Sequence, residues 1–158
     1  MDDFIEERLR EIVGRVEEVY HLRGVAVKIL DLATGPNRFN PLLARELLEH
    51  RVDFSLLLSD ISPTWLVRGF TNLKNCLSDE DLAKISCVLV DSNNLRREHQ
   101  KIPIYYRDER KIVPLEEVLQ MSEFAFLKPN YEGTKRKEAF DDESFDILIG
   151  EIPYGSMA

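Results

Sequence analysis

Three aspartates follow apolar runs of strand length, and their positions along the chain could bring them together. Asp31 follows Val-Lys-Ile-Leu, Asp60 follows Leu-Leu-Leu-Ser, and Asp91 follows Val-Leu-Val. After Asp31 the chain turns through the small-residue segment 33–37, where backbone amides could approach a ligand closely. Successive strand ends with this chemistry predict a site for a nucleotide-like ligand.

The elements that would position these aspartates alternate between strand and helix. Residues 3–20 carry apolar side chains at three- and four-residue spacing, which predicts an amphipathic helix that covers an edge or face of a sheet. The predicted strands are Val25–Leu30, Phe54–Leu58, Ile85–Val90 and Phe145–Ile149. The predicted helices between them are Pro41–His50 with Asn40 as N-cap, a helix from the N-cap Ser62 to about Asn75, and a short helix capped by Ser78. This order favours an α/β fold with a parallel sheet.

The stretch 94–144 breaks this rhythm, because it separates the third strand from the fourth by far more than a usual connection. It is predicted to contain a hairpin of Ile102–Tyr106 with Lys111–Val113, a helix at Pro114–Phe126 and a loop at Leu127–Asp142. Residues 95–137 carry ten basic and seven acidic side chains, so this segment is +3 and the remainder is −11. We expect an anionic substrate, whether nucleic acid or protein, to meet this segment first.

Composition sets the class of protein. A chain of 158 residues is long enough for a single domain with a hydrophobic core, predicted here as 1–158. The net charge of −8 argues against a protein whose main task is to grip a nucleic-acid backbone. Cys76 and Cys87 lack metal-site spacing and are predicted to be reduced, packed thiols. Together with an acidic N-terminus unlike a secretory signal and no segment of membrane-spanning length, they predict a cytoplasmic protein without a membrane contact.

Three stretches resemble the class I S-adenosylmethionine-dependent methyltransferase family. Asp31-Leu32-Ala33-Thr34-Gly35-Pro36-Asn37 is similar to the family's acid and glycine-rich turn, with Gly35 kept as glycine. Ser59-Asp60-Ile61-Ser62-Pro63 is similar to the loop whose acid accepts hydrogen bonds from the cofactor's ribose hydroxyls. Val90-Asp91-Ser92-Asn93 resembles the loop whose acid accepts from the adenine amino group. The resemblance implies that the cofactor-binding residues are Asp31, Ala33, Thr34, Gly35, Asn37, Asp60, Ile61, Asp91 and Ser92.

A fourth stretch, Gly150-Glu151-Ile152-Pro153-Tyr154-Gly155, is similar to the Asn/Asp-Pro-Pro-Tyr loop of the branch that methylates amino groups. The resemblance implies that Glu151 accepts a hydrogen bond from the target nitrogen and that Tyr154 stacks on a planar substrate, either a nucleobase or a protein side chain. Glu151 replaces the usual Asn or Asp, and Ile152 replaces the first proline. A longer carboxylate at this position would move the acceptor.

The resemblance spans residues 25–154 and implies a three-layer, Rossmann-like α/β sandwich with a mostly parallel sheet in strand order 3-2-1-4 and an N-terminal covering helix. The family core continues with three more strands, whereas this chain stops four residues after Tyr154. We therefore expect a member truncated after the fourth strand, a fragment, or a chain whose fourth strand is covered by a partner chain or a second copy.

Other interpretations stay open at this point. The chain could be a non-catalytic methyltransferase-like binding or scaffold module, or a nicotinamide-dinucleotide enzyme, which fits less well because two glycines are absent from the turn. The three aspartates could serve only as turn and cap residues. Trp65, with Leu66 and Phe70 at helical spacing, is predicted to belong to the core. The sequence does not define the methyl acceptor.

Overall fold

The computed structural model describes residues 3–32, 39–89, 101–106, 109–130 and 145–150. In chain order its elements are α1 (Asp3–Arg23), β1 (Val27–Leu32), α2 (Phe39–Glu49), β2 (Phe54–Asp60), α3 (Pro63–Cys76), α4 (Asp79–Leu82), β3 (Ile85–Leu89), β4 (Lys101–Tyr106), β5 (Glu109–Pro114), α5 (Leu115–Leu119), a 3-10 helix (Ser122–Asn130) and β6 (Ile147–Gly150).

Four strands form a parallel sheet in the order β3-β2-β1-β6. This confirms the predicted order, with β6 as the fourth strand of the parallel sheet. The register places Ile29 beside Leu56 and Ile147, and Leu56 beside Ile85, so their side chains share one face of the sheet. Ile29, Leu56 and Ile85 are buried, and this face forms the centre of the hydrophobic core. The fold is α/β and Rossmann-like, with helices flanking the sheet.

The N-terminal helix α1 is longer than predicted and packs on α2, which in turn packs on α3. Its buried side chains Leu9, Val13 and Val16 recur at helical spacing, as the amphipathic pattern predicts. The helix ends at Arg23 and is followed by Gly24, which has a φ of 69° and donates its N–H to the carbonyl of Tyr20 at 2.8 Å. Glycine adopts this left-handed conformation at the lowest cost, so it gives the helix a defined end before β1.

Asp146 connects the start of β6 to both α1 and β1. Its side chain, 18% exposed, accepts from Arg23 at the end of α1 and from the backbone N–H of Lys28 at 2.9 Å. The backbone N–H of Asp146 also donates to the carbonyl of Lys28 at 2.8 Å. These contacts fix the register of β6 against β1.

Asp146→Ala is therefore expected to lower the free energy of unfolding by about 1.5 kcal/mol, since it removes two charge-assisted hydrogen bonds at a partly shielded site. Urea unfolding followed by circular dichroism measures the change. Asp79→Ala, at an exposed position in α4, is the control and is expected to stay within about 0.5 kcal/mol of the parent. Equal free energies of unfolding for the parent and Asp146→Ala would show that the contacts of Asp146 with Arg23 and Lys28 do not stabilise the fold.

The segment between β3 and β6 contains the predicted hairpin. β4 and β5 pair antiparallel, with Ile102 opposite Val113 and Tyr105 opposite Arg110. Ile102 and Val113 are buried, whereas Arg110 is exposed, so the hairpin has a core-facing side and an exposed cationic position.

The single helix predicted at Pro114–Phe126 is wrong. Pro114 ends β5, α5 stops at Leu119, and a separate 3-10 helix begins at Ser122. The segment after the break packs against the core, since Phe124 and Leu127 are both buried and Phe126 stacks on Phe70 of α3 with ring centroids 5.2 Å apart. Leu127, predicted to begin a loop, belongs to this helix.

The two cysteines differ in environment. Cys87 on β3 is buried as predicted, but Cys76 at the end of α3 is exposed, so its prediction as a packed thiol is wrong. Burial raises the pKa of the Cys87 thiol from 9.0 to about 12. The folded state therefore retains a proton that the unfolded state loses between these values, and stability is full below about pH 9 and falls as the pH rises towards 12.

At pH 8 we expect one thiol of the native protein to react rapidly with a disulfide reagent, because Cys87 should carry about 1000-fold less thiolate than an unperturbed cysteine. The second thiol should react only in denaturant. Stopped-flow absorbance counts both phases, and Cys76→Ser, which should abolish the fast phase, is the control. Two fast native equivalents would contradict the burial of Cys87.

No helix among the described residues is both long and apolar enough to cross a membrane.

Candidate functional site

The carboxyl ends of the four parallel strands lie along one edge of the sheet. The register pairs Asp60 with Leu89 and Leu32 with Gly150, so β1, β2, β3 and β6 all end close together. The chain leaves β1 towards β2 and β3 on one side, and returns to place β6 on the other side. The strand order thus reverses between β1 and β6, and ligands of open α/β sheets bind in the crevice at such a point.

Asp60 is the last residue of β2 and lies at this edge with only 8% of its surface exposed. One oxygen, Oδ1, accepts from the backbone N–H of Ser62 at 2.9 Å. Ser62 in turn caps α3, since its hydroxyl accepts from the N–H of Trp65 at 3.3 Å and Pro63 takes the first turn. The carboxylate is therefore held in one orientation beside the positive end of a fourteen-residue helix, where negative charge is favoured.

Asp31 lies inside β1 and is fully buried. Its Oδ2 accepts from Nδ2 of Asn40 at 2.7 Å, and its carbonyl accepts from the hydroxyl of Ser59 at 2.8 Å. These bonds tie β1 to the first turn of α2 and to the end of β2. The described contacts of Asp31 thus fix the two elements that flank residues 33–38.

The prediction of Asn40 as the N-cap of α2 is wrong. The helix begins at Phe39, two residues before the predicted start at Pro41, so Asn40 lies within the first turn and is buried. Its side-chain amide serves the Asp31 carboxylate instead of the helix end. A buried carboxylate requires a donor, and Asn40 in the first turn of α2 supplies one.

Two apolar side chains near Asp60 are accessible. Ile61 is 36% exposed and Trp65 is 43% exposed. The core assignment of Trp65 is wrong, whereas Leu66 is fully buried as predicted and Phe70 is half-buried. The buried stripe of α3 runs through Leu66 and Leu73, and Trp65 lies about 100° away from Leu66 around the helix. Trp65 is the single tryptophan of the chain, so its fluorescence reports on this region.

Sequence reasoning missed Arg8 and Phe39. Arg8 on α1 donates from Nη2 to the carbonyl of Gly150, the last residue of β6, at 3.1 Å. The same guanidinium lies over the ring of Phe39, with its central carbon 5.6 Å from the ring centroid. Arg8 is one of several charged residues on an amphipathic helix, and no local pattern distinguishes it from the others.

The structure places Asp31, Asp60 and Ile61 near the same edge. The other predicted site residues lie outside the described residues, and their assignments stay predictions: Ala33, Thr34, Gly35, Asn37, Asp91, Ser92, Glu151 and Tyr154.

Comparison with known proteins gives one similar structure. No family model matches the chain, and no curated protein matches it. Among solved structures the chain is similar to the methyltransferase domain of bacterial CtHen1-C, with 24% sequence identity and a TM-score of 0.40. The similarity covers 53% of this chain and 39% of that one, so the matched region spans about two fifths of the solved domain.

Proposed function

We propose that the chain binds S-adenosylmethionine at the carboxyl edge of its sheet and transfers the methyl group to an amino group. The proposal rests on the environment of Asp60. Its nearly buried carboxylate lies at the end of β2, the strand next to β1, and accepts a hydrogen bond from the N–H of Ser62. A fixed carboxylate is a suitable acceptor for the two hydroxyls of a ribose, since both can donate to it. It lies one strand from the reversal of strand order, where the fold places ligands.

The remaining cofactor contacts are assigned by the sequence resemblance. Backbone groups of the turn, including Ala33, Thr34, Gly35 and Asn37, would follow Asp31 and face the amino-acid part of the cofactor. Asp91 and Ser92 would flank the adenine, and Ile61, which is accessible beside Asp60, would add an apolar contact.

Methyl transfer from S-adenosylmethionine requires little acid–base catalysis by the protein. The sulfonium supplies an already activated methyl group, so the chain must orient the acceptor and exclude water. Glu151 would accept a hydrogen bond from the attacking nitrogen, and Tyr154 would stack on a planar acceptor such as a nucleobase. Residues 95–137, which carry the excess of basic side chains, would meet the acceptor-bearing nucleic acid or protein.

Isothermal titration with S-adenosylmethionine tests the binding step. We expect saturable heat with S-adenosylmethionine and with S-adenosylhomocysteine, but none with NADH, because the turn lacks two of the glycines of dinucleotide-binding proteins. Absence of heat at millimolar S-adenosylmethionine would contradict the proposal.

A non-catalytic binding or scaffold module is the second candidate. The departures at Ala33 and Ile152 from the family pattern favour it. Transfer of a radiolabelled methyl group to nucleic acid, protein and small-molecule acceptors separates the two candidates. Cofactor binding without transfer to any of these acceptors would favour the module.

The environment of β6 supports the proposal of a covering partner, either a second copy or another chain. β6 lies at one end of the described sheet, and Leu148 on it is 64% exposed. Light scattering coupled to size-exclusion chromatography measures the mass of the species in solution.

The free thiols of Cys76 and Cys87 support the proposal of a cytoplasmic location.

A further inference from the structure

Arg8 contacts both segments that border the reversal of strand order. Its Nη2 donates to the carbonyl of Gly150 at the end of β6, and its guanidinium covers Phe39 at the start of α2. Gly150 immediately precedes Glu151, and Phe39 follows residues 33–38. One side chain of the N-terminal helix therefore contacts the last residue of β6 and the first residue of α2, which are 111 residues apart in the sequence.

The helix that carries Arg8 is itself fixed at both ends. Leu9, the next residue, is buried and sets the rotation of α1, while Arg23 at the far end pairs with Asp146 at the start of β6. Helix α1 thus contacts both ends of β6. Arg23 contacts Asp146 at the start of the strand, and Arg8 contacts Gly150 at its end. Movement of Gly150 relative to Phe39 would have to break the contacts of Arg8.

An arginine is suited to this double contact. Its planar guanidinium can donate in its plane to a carbonyl while its face lies on an aromatic ring, which a lysine ammonium cannot do with the same geometry. It also stays charged over the whole working range of pH.

We propose that Arg8 is a positioning residue that sets the spacing between Gly150 and Phe39, and thereby between the segments that would hold the methyl acceptor and the cofactor. The consequence for binding rests on the proposed function, whereas the coupling of the two segments does not.

The coupling is tested by hydrogen–deuterium exchange of the ligand-free protein. Arg8→Gln is expected to raise exchange about fivefold in peptides that cover 39–47 and 145–150, since the lost contact with Gly150 is a single hydrogen bond at an exposed position. Arg15→Gln, at an exposed position of the same helix, is the matched control and should leave both peptides unchanged. Unchanged exchange in Arg8→Gln, or a rise in only one of the two peptides, would overturn the coupling.

The consequence is tested by titration of S-adenosylmethionine, with the emission of Trp65 and calorimetry as readouts. Arg8→Gln is expected to weaken binding about fivefold while lowering the melting temperature by only about 2–4 °C, and Arg8→Lys to restore less than half of the loss, because the charge returns without the planar contact. Full recovery in Arg8→Lys would overturn the positioning role in favour of simple charge. If the parent itself does not bind the cofactor, the proposed function fails, and the exchange experiment still decides the coupling.

Discussion

Asp60→Asn is expected to weaken S-adenosylmethionine binding about 100-fold, which is the effect of losing two charge-assisted hydrogen bonds to the ribose hydroxyls. The substitution removes the charge but keeps an oxygen that can accept from the N–H of Ser62, so the start of α3 should stay in place. Isothermal titration gives the dissociation constants, and the melting temperature should change by less than a few degrees.

The matched control for this prediction is Asp53→Asn, the same substitution just before the other end of β2. Asp53 is 54% exposed and pairs with Lys84 at 2.9 Å, at the edge of the sheet opposite the candidate site. It should bind S-adenosylmethionine like the parent. If Asp60→Asn and the parent bound S-adenosylmethionine with equal affinity, Asp60 would not be a cofactor-binding residue.

Asn40→Ala is expected to lower the free energy of unfolding by about 3 kcal/mol, because it removes a donor from a carboxylate that is fully buried. For a chain of this size the melting temperature should fall by roughly 6–12 °C. Calorimetry measures the temperature and urea unfolding measures the free energy. Because Asn40 and Asp31 join β1 to α2, the affinity for the cofactor should fall as well.

Asn72→Ala is the control for this prediction. It tests whether the loss of stability in Asn40→Ala comes from the buried amide or would follow from replacing any asparagine in a helix. Asn72 is exposed on α3, and its replacement should change stability by no more than about 0.5 kcal/mol. If Asn40→Ala lowered the free energy of unfolding as little as Asn72→Ala does, the contact between Asn40 and Asp31 would contribute little to stability.

The parallel sheet could be predicted because β1, β2 and β3 carry nearly continuous apolar runs that are followed by polar residues. The position of β6 beside β1 came from a resemblance and not from periodicity, since no local pattern says which neighbour a strand will have. The resemblance also marked Asp60 correctly as a strand-end acid, and its contact with Ser62 follows from the adjacent residues.

Several of the missed features depend on tertiary contacts that the local sequence pattern does not contain. An asparagine before a proline reads as a helix cap, and only the burial of Asp31 decides that Asn40 turns inward. Likewise, apolar spacing around 114–126 suggests one helix, but the packing of Phe126 on Phe70 accompanies a break that the pattern does not contain. Arg8 could not be selected at all, because Gly150 lies at the other end of the sequence.

A crystal structure of the protein soaked with S-adenosylmethionine would show whether the cofactor binds beside Asp60. We expect the ligand at the carboxyl edge of the sheet, with both ribose hydroxyls within hydrogen-bonding distance of the Asp60 carboxylate and the sulfonium directed towards the end of β6. Ligand density elsewhere on the protein, or an empty edge at saturating ligand, would contradict this expectation.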